Sequence, residues 1–381
     1  MQVNALPGSF RSLFPITETC VYLNHAGAAP LSRPARDCMV RALDGIMNRG
    51  SLMGDTLEQM QEEARCRAAR LVNARPHQIA FLRNTSDAIS AIANGISWHP
   101  GDNIVSSAVE FPANAYPWSR VAAACGVELR GTNPGGRGLV SEDEILELIN
   151  DRTRVVTLSW VQFASGQRLD IRRIGKFCRE RNILFVVDAI QGLGALQLDV
   201  ERDFVDAFAT GTNKYLLSTK GVSLLYLSDR SLEIVRPTVI GWTAVKDYSD
   251  YVTHDMIDFR EGAARFEGGA LNVIGICGLG EAINLFLKAG PAHIEQYILS
   301  LSVYLSTALE ERGYRVVSPQ DPGAMSAIVV CRHDRYSPEE LCKRLGEYNI
   351  ITSARHEGLR ISFHFYNTQA DLDALLDALP V

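Results

Sequence analysis

The 381-residue chain carries eight cysteines, at 20, 38, 66, 125, 178, 277, 331 and 342, yet it has no CxxC pair and no histidine at zinc-finger spacing. Neither a disulfide framework nor a structural metal site is expected, and a reduced, cytoplasmic compartment fits best. A basic surplus is missing too: 38 Lys plus Arg stand against 44 Asp plus Glu, a net charge of -6. Without cations to neutralise a phosphate backbone, nucleic acid is not an expected partner. No run of about 18 apolar residues is present, and residues 1–8 lack a basic segment leading into an apolar one. No membrane association or secretion is expected. No GxGxxG follows a strand-like run, which argues against a nicotinamide dehydrogenase. Internal repeats and low-complexity linkers are absent, so the parts of the chain should share a packed interface rather than a tether.

What is present is ordinary globular material, with 46% apolar and 22% charged residues. The length exceeds what one hydrophobic core supports, which predicts one large and one small domain. Short β-branched runs alternate with amphipathic stretches, the pattern of an α/β fold with a mostly parallel sheet covered by helices. Strands are expected at 78–83, 103–107, 127–130, 154–160, 183–188, 207–210 and 222–227, with helices at 85–96, 114–125, 141–149 and 170–181. Ser141 and Glu144 have the spacing of a capping box. From about 279 the pattern changes to long helices (281–288, 293–312), a strand at 327–331, a helix at 338–347, strands at 350–353 and 359–363, and a closing helix at 368–379. That suggests a large domain over 15–280 and a small α+β domain over 281–381, with 1–14 packed on the latter.

Five apolar residues, 183–187, end in Asp188. Ligands of open α/β sheets bind beyond the carboxyl ends of the strands, so Asp188 is a candidate site residue, although a cap or turn role is equally open in isolation. Downstream, the run at 207–210 enters Gly211-Thr212-Asn213-Lys214-Tyr215, which puts a lysine on a tight turn. Partial desolvation there would lower the amine pKa and suit it to condense with an aldehyde; a snorkelling surface lysine is the commoner alternative. An acid and such an amine together suggest pyridoxal 5'-phosphate, the acid keeping the ring nitrogen protonated and the amine making the covalent attachment.

These residues, with Tyr22-Leu23-Asn24-His25-Ala26-Gly27-Ala28-Ala29-Pro30 near the start and Tyr366-Asn367-Thr368 near the end, resemble the class V aminotransferases of the fold type I pyridoxal-phosphate enzymes. That group contains cysteine desulfurases, kynureninase and isopenicillin N epimerase. The resemblance implies that Thr85 and Ser86 bind the cofactor phosphate at a helix N-terminus, where free N–H groups and the helix dipole favour an anion. It implies that Phe111, in Glu110-Phe111-Pro112-Ala113-Asn114, stacks on the ring, that Asp188 partners the ring nitrogen, and that Gln191 lies near the phenolic oxygen. Gln162 is a polar contact, Thr212 and Asn213 belong to the cofactor-binding turn, and Lys214 is the Schiff-base lysine. Gly269 and Ala270 reach the other subunit's cofactor phosphate through backbone N–H groups, since Ala270 stands where threonine is common. Arg360, in Leu359-Arg360-Ile361-Ser362-Phe363-His364, binds the substrate carboxylate with its guanidinium fork, a structural ion pair being the alternative. Asn24 and His25 line the substrate entrance, or His25 is a satisfied structural histidine.

Two departures from the desulfurase pattern stand out. Phe111 occupies the ring-stacking position usually held by histidine, and 352–358 contains no thiol. Cys331 and Cys342 fall in an expected strand and helix, where buried inert thiols are the better expectation. The resemblance therefore implies a homodimer with shared active sites acting at Cα of an amino acid substrate, as an aminotransferase or a β-lyase. An epimerase is the alternative, a cysteine desulfurase is disfavoured, and a non-enzymatic scaffold is least expected because Lys214 and Asp188 are both present.

Overall fold

Seven strands pair into one sheet in the computed structural model, which describes residues 6–133, 138–246 and 257–380. Across the sheet the strands run Ile79–Leu82, Ser223–Leu227, Ala207–Gly211, Leu184–Asp188, Thr153–Ser159, Asn103–Ser107 and Glu128–Thr132. The last five are parallel, and Ser223–Leu227 is antiparallel to both its neighbours. Every residue of Leu184–Asp188 and Ala207–Gly211 is buried, which explains why these segments are continuously apolar rather than alternating. Ser159 pairs with Asp188, and Asp188 with Ala209, so three strands deliver their carboxyl ends to one place.

The α/β architecture expected from the sequence is present, with local differences. The helix expected at 141–149 is Glu142–Glu147, and its capping box is half formed. Ser141 Oγ accepts from the Glu144 N–H at 3.3 Å, but the Glu144 carboxylate turns to the Asn133 N–H at 2.7 Å. That donor lies just past a strand end and is invisible to local spacing. The helix expected from 281 is Val273–Ala289, so the expected domain boundary at 280 lies inside a continuous helix. Its glycines disguise it, because they serve close packing: a Cβ on Gly278 would lie 1.8 Å from Met39 Cε, and one on Gly280 3.1 Å from Ala64 Cβ.

A second sheet is antiparallel, in the order Ser353–Arg355, Gly358–Ser362, Ile328–Arg332 and Arg315–Val316. The single strand expected at 350–353 is divided. Ile350–Ile351 pairs in parallel with Val21–Tyr22, and Ser353–Arg355 joins the four-stranded sheet. The N-terminal segment packs nearby: Phe14 stacks on Tyr366 at 3.9 Å, and Arg11 forks onto Asp371 at 2.7 and 2.9 Å.

A buried ion pair ties the Gly268–Gly269 segment to the sheet edge. Glu267 accepts from Arg65 Nη1 and from the Phe81 N–H, both at 2.8 Å, and the paired side chains are 5% and 2% exposed. Removing one partner strands the other in a low-dielectric site, at ~3–5 kcal/mol. Glu267→Ala is expected to lose about that much unfolding free energy in a urea titration. A loss under ~1 kcal/mol, the range of exposed pairs, would show that the pair is dispensable.

Candidate active site

Asp188 closes the strand Leu184–Asp188 and is 1% exposed. Oδ1 accepts from the Ile190 N–H at 3.0 Å, while Oδ2 is buried without a partner. Burial pushes the carboxyl up to about 7, the Ile190 N–H pulls it back, the Glu110 carboxyl adds to the rise and Lys214 opposes it. Such a group invites a cationic or N–H donor.

Lys214 sits on the turn after Ala207–Gly211. Burial lowers its amine to about 8 against the pull of Asp188, with Arg360 and Arg355 lowering it further. Nζ stands 5.5 Å from the Phe111 ring centroid. The turn is fixed by Thr212, whose hydroxyl donates to the carbonyls of Thr219 at 2.8 Å and Val222 at 3.1 Å. That hydroxyl is therefore committed inside the turn, which corrects its expected place among the cofactor contacts as far as the side-chain proton is concerned. The Asn213 carbonyl accepts from the Ala29 N–H at 2.9 Å, and the Tyr215 carbonyl accepts from His364 Nε2 at 2.9 Å.

Thr85 opens the helix Thr85–Gly95, capped by the Asn84 side chain. Gly211 brings it to Asn213: a Cβ on that glycine would lie 3.1 Å from Thr85 Oγ1 and 3.4 Å from Asn213 Oδ1. Any side chain there would fill the cradle, which lies at the positive end of a helix and suits a phosphate. Ser86 follows, exposed, and shares an open cavity with Phe111.

Glu110 lies beneath. Its carboxylate accepts from the Ser159 N–H at 2.9 Å, from Gln162 Nε2 and Asn114 Nδ2 at 3.0 Å, and from the Ser159 hydroxyl. Burial raises its pKa, and these donors lower it. Gln162 is thereby oriented, leaving its Oε1 buried and unpartnered. Gln191 donates to the Ala26 carbonyl at 3.2 Å and likewise leaves Oε1 free, as Asn24 does its Oδ1. Each such atom costs ~1–3 kcal/mol, so several near the strand ends mark a place made for a polar group carrying donors. Pyridoxal phosphate fits that description: a protonated ring nitrogen for Asp188, an aldehyde for Lys214, and a phosphate for the cradle.

Arg360, on Gly358–Ser362, is 1% exposed. Nε donates to Ser353 Oγ at 3.2 Å and Nη1 to the Phe163 carbonyl at 3.0 Å, while Nη2 is buried without a partner. A hydroxyl and a backbone carbonyl leave its charge uncompensated, so among the described residues the structural ion pair finds no carboxylate. Burial, with Arg355 beside it, lowers the guanidinium to about 10. Phe163 packs edge-on against Phe111 at 5.2 Å, which connects Arg360 to Lys214.

His25 is placed differently from the expected entrance. It is fully buried, Nδ1 lying 2.9 Å from the Ser362 carbonyl and Nε2 2.7 Å from the Tyr366 hydroxyl. A carbonyl only accepts, so Nδ1 carries the proton and Nε2 accepts from Tyr366. Burial holds the ring down to about 4, neutral and structural. Gly269 and Ala270 line a separate groove of about 410 Å³ between Leu82, Asn94 and Val239. Sequence reasoning assigned no role to Glu110 or Arg355, because neither shows its neighbours locally.

The buried acid has a consequence for the cofactor-free protein. From the ordinary value of 3.8 up to about 7, only the folded carboxyl keeps its proton, so stability falls as pH rises through that window. Lys214 acts oppositely: between about 8 and 10.5 only the unfolded amine keeps its proton, and stability is regained as pH rises. Cofactor-free Asp188→Asn is expected to be the more stable protein near pH 8, by roughly 1–4 kcal/mol, with the gap closing toward about pH 4. A wild type more stable at about pH 8 in urea would contradict this account.

The aminotransferase class-V family model matches residues 21–375. A probable cysteine desulfurase of Methanothermobacter thermautotrophicus is 28% identical over 390 residues, covering 96% of this chain and 95% of that protein. The solved cysteine desulfurase CsdA of Escherichia coli superposes with a TM-score of 0.86 at 26% identity, over 98% of this chain and 97% of that one. C-DES, solved with glycine covalently linked to its PLP cofactor, shares the fold at a TM-score of 0.88 and 23% identity, over 96% and 98%. Because the matched span takes in the sheet, the Lys214 turn and Arg360, the chain belongs to the class V aminotransferase family of pyridoxal-phosphate-dependent enzymes, transferases or lyases.

Proposed function

We propose that the chain holds pyridoxal phosphate at Lys214 and acts at Cα of an amino acid, as an aminotransferase or a β-lyase. The observation that carries this reading is the pair of buried atoms with unmet partners, Asp188 Oδ2 and Arg360 Nη2, on either side of the desolvated Lys214 amine. When bound, the cofactor supplies an aldehyde for amines and a ring that takes up the electron pair released at Cα. The rest falls to the protein. Thr85, Ser86 and Asn213 hold the phosphate, Asp188 keeps a proton on the ring nitrogen, and Phe111 covers one ring face. Arg360 anchors the α-carboxylate with a charge-assisted fork. An amine lowered to about 8 is partly neutral near neutral pH, so Lys214 can take the Cα proton and return it. Return of that proton to Cα gives the epimerase alternative.

Relatives named cysteine desulfurases raise the question of a persulfide-bearing thiol. Val330 is the residue opposite Arg360, so Cys331 directs its side chain to the other face of the sheet. Burial pushes that thiol up to about 12. Cys342 is also raised by burial, and its Sγ lies 3.4 Å from the Thr352 hydroxyl. Both argue against sulfur relay.

A homodimer is part of the proposal. Leu43, Met47 and Leu52 are 51%, 75% and 74% exposed on one helix and the turn after it, an apolar patch that a second subunit would cover. The groove carrying Gly269 and Ala270 would then face the partner's phosphate. We keep the division at 15–280 and 281–381 as the functional one, the small part delivering Arg360. Eight free cysteines support a cytoplasmic setting.

Borohydride treatment of the yellow holoenzyme is expected to bleach its visible band and fix the cofactor to Lys214, read by peptide mass spectrometry. A label on Lys220, or no band after adding pyridoxal phosphate, would refute the attachment. Replacing Cys331 and Cys342 together by serine should leave turnover unchanged; loss of activity with a persulfide trapped on either would restore the desulfurase reading.

A further inference from the structure

A second guanidinium stands on the face of the small sheet that presents Arg360. Antiparallel pairing sets Ser353 opposite Arg360 and Arg355 opposite Gly358. Directly paired residues share a face, as do residues two apart on a strand, so Ser353, Arg355 and Arg360 project to the same side. The shared face is direct for one pair, since Arg360 Nε donates to Ser353 Oγ at 3.2 Å. Arg355, two residues on from Ser353, is then the diagonal neighbour of Arg360 across the strand pair, roughly 7–8 Å away.

Its charge acts on the site. Arg355 is among the groups that depress both the Lys214 amine and Arg360. Glu357, on the turn between the two strands, acts on Arg360 in the opposite sense and more weakly. The Arg355 Nη1 donates only to the neighbouring Ala354 carbonyl, at 2.7 Å, and no carboxylate is in ion-pair contact with Arg355 among the described residues. One mouth therefore carries two guanidiniums, Arg355 and Arg360, beside the Lys214 amine, while Asp188 belongs to the cofactor end and Glu357 acts on Arg360 only more weakly than Arg355 does. A single α-carboxylate compensates one guanidinium and leaves the other uncompensated.

We propose that the substrate is an amino acid with a second anionic group on its side chain, its α-carboxylate held by Arg360 and its side-chain anion by Arg355. This rests on the assignment of Lys214 and Arg360 given above and adds the substrate class. A short acidic side chain, as in aspartate or glutamate, supplies the second anion that neighbouring guanidiniums on one face call for. A neutral isostere such as asparagine or glutamine matches it in size and lacks the charge.

The test is a spectral titration of the holoenzyme, following the visible band as L-aspartate, L-glutamate, L-asparagine, L-glutamine or L-alanine is added. The unmutated enzyme is expected to bind the better acidic amino acid about tenfold or more tightly than its amide. In Arg355→Gln that preference should fall below about threefold, and Arg355→Lys should restore part of it. Equal binding of acid and amide by the unmutated enzyme overturns the inference whatever the variants do, and so does a preference that survives Arg355→Gln. A band that responds to alanine but does not discriminate charge sinks the substrate class alone. A band that no amino acid perturbs, or no band at all, sinks the underlying assignment with it.

Discussion

An ionisable carboxyl at the end of a completely buried parallel strand is the constraint around which this molecule is organised. Asp188 can be desolvated only because its neighbours in the sheet, Thr153–Ser159 and Ala207–Gly211, are covered on both faces. That low-dielectric setting makes an unpaired oxygen costly, and it makes a cationic partner correspondingly well held. Glu110 deepens the effect. Its own carboxylate is satisfied by Ser159, Gln162 and Asn114, so it lends negative potential to Asp188 while offering little to a ligand. One acid is spent on architecture, and the other is kept for chemistry.

Holding the lysine against that acid takes a rigid turn. Leu217 has a φ of 51°, and Gly194, at φ 105°, lets the Tyr215 carbonyl pass so close that a Cβ would meet it at 2.1 Å. The same carbonyl is caught by His364, from the chain just beyond Arg360. His25, joined to Ser362 and Tyr366, binds the N-terminal segment to that region. Gly166 provides a further tie: at φ 74° it packs under Ile328, and its carbonyl accepts from the Ser326 hydroxyl at 2.6 Å. Gln162, Phe163 and Arg360 are thus set by one mesh of short contacts, which is how a guanidinium on one sheet comes to be aimed across another.

Much of this was legible in the chain because its signals are local. The apolar run ending in Asp188 and the turn bearing Lys214 each declare themselves within a few positions. His25, Thr212 and Glu110 did not, since what decides their roles is a carbonyl, a hydroxyl or an amide on another element, 7 and 10 residues on for Thr212, 49 and 52 for Glu110, and 337 and 341 for His25. Helix Val273–Ala289 was read short for a similar reason: glycine lowers helix propensity, and the packing against Met39 and Ala64 that overrides it is tertiary. The capping box at Ser141 opened because a distant N–H competed for Glu144.

The position of Arg355 follows the same logic at its most sensitive point. The strands Ser353–Arg355 and Gly358–Ser362 are joined by a turn of two residues, His356 and Glu357. A register slip of one residue would send Arg355 to the opposite face, away from Arg360 and Lys214. The short turn and the Arg360 Nε–Ser353 Oγ hydrogen bond at 3.2 Å hold that register, while Gly358, at φ 149°, where a Cβ would lie 2.3 Å from the Cys331 carbonyl, seats the hairpin on the next strand. Only glycine lets the hairpin lie this close to Ile328–Arg332, and the ladder Val330–Arg360 and Cys331–Leu359 is then set by that approach. One glycine without chemistry of its own therefore fixes the ladder by which Cys331 turns its thiol away from the face that the two guanidiniums share.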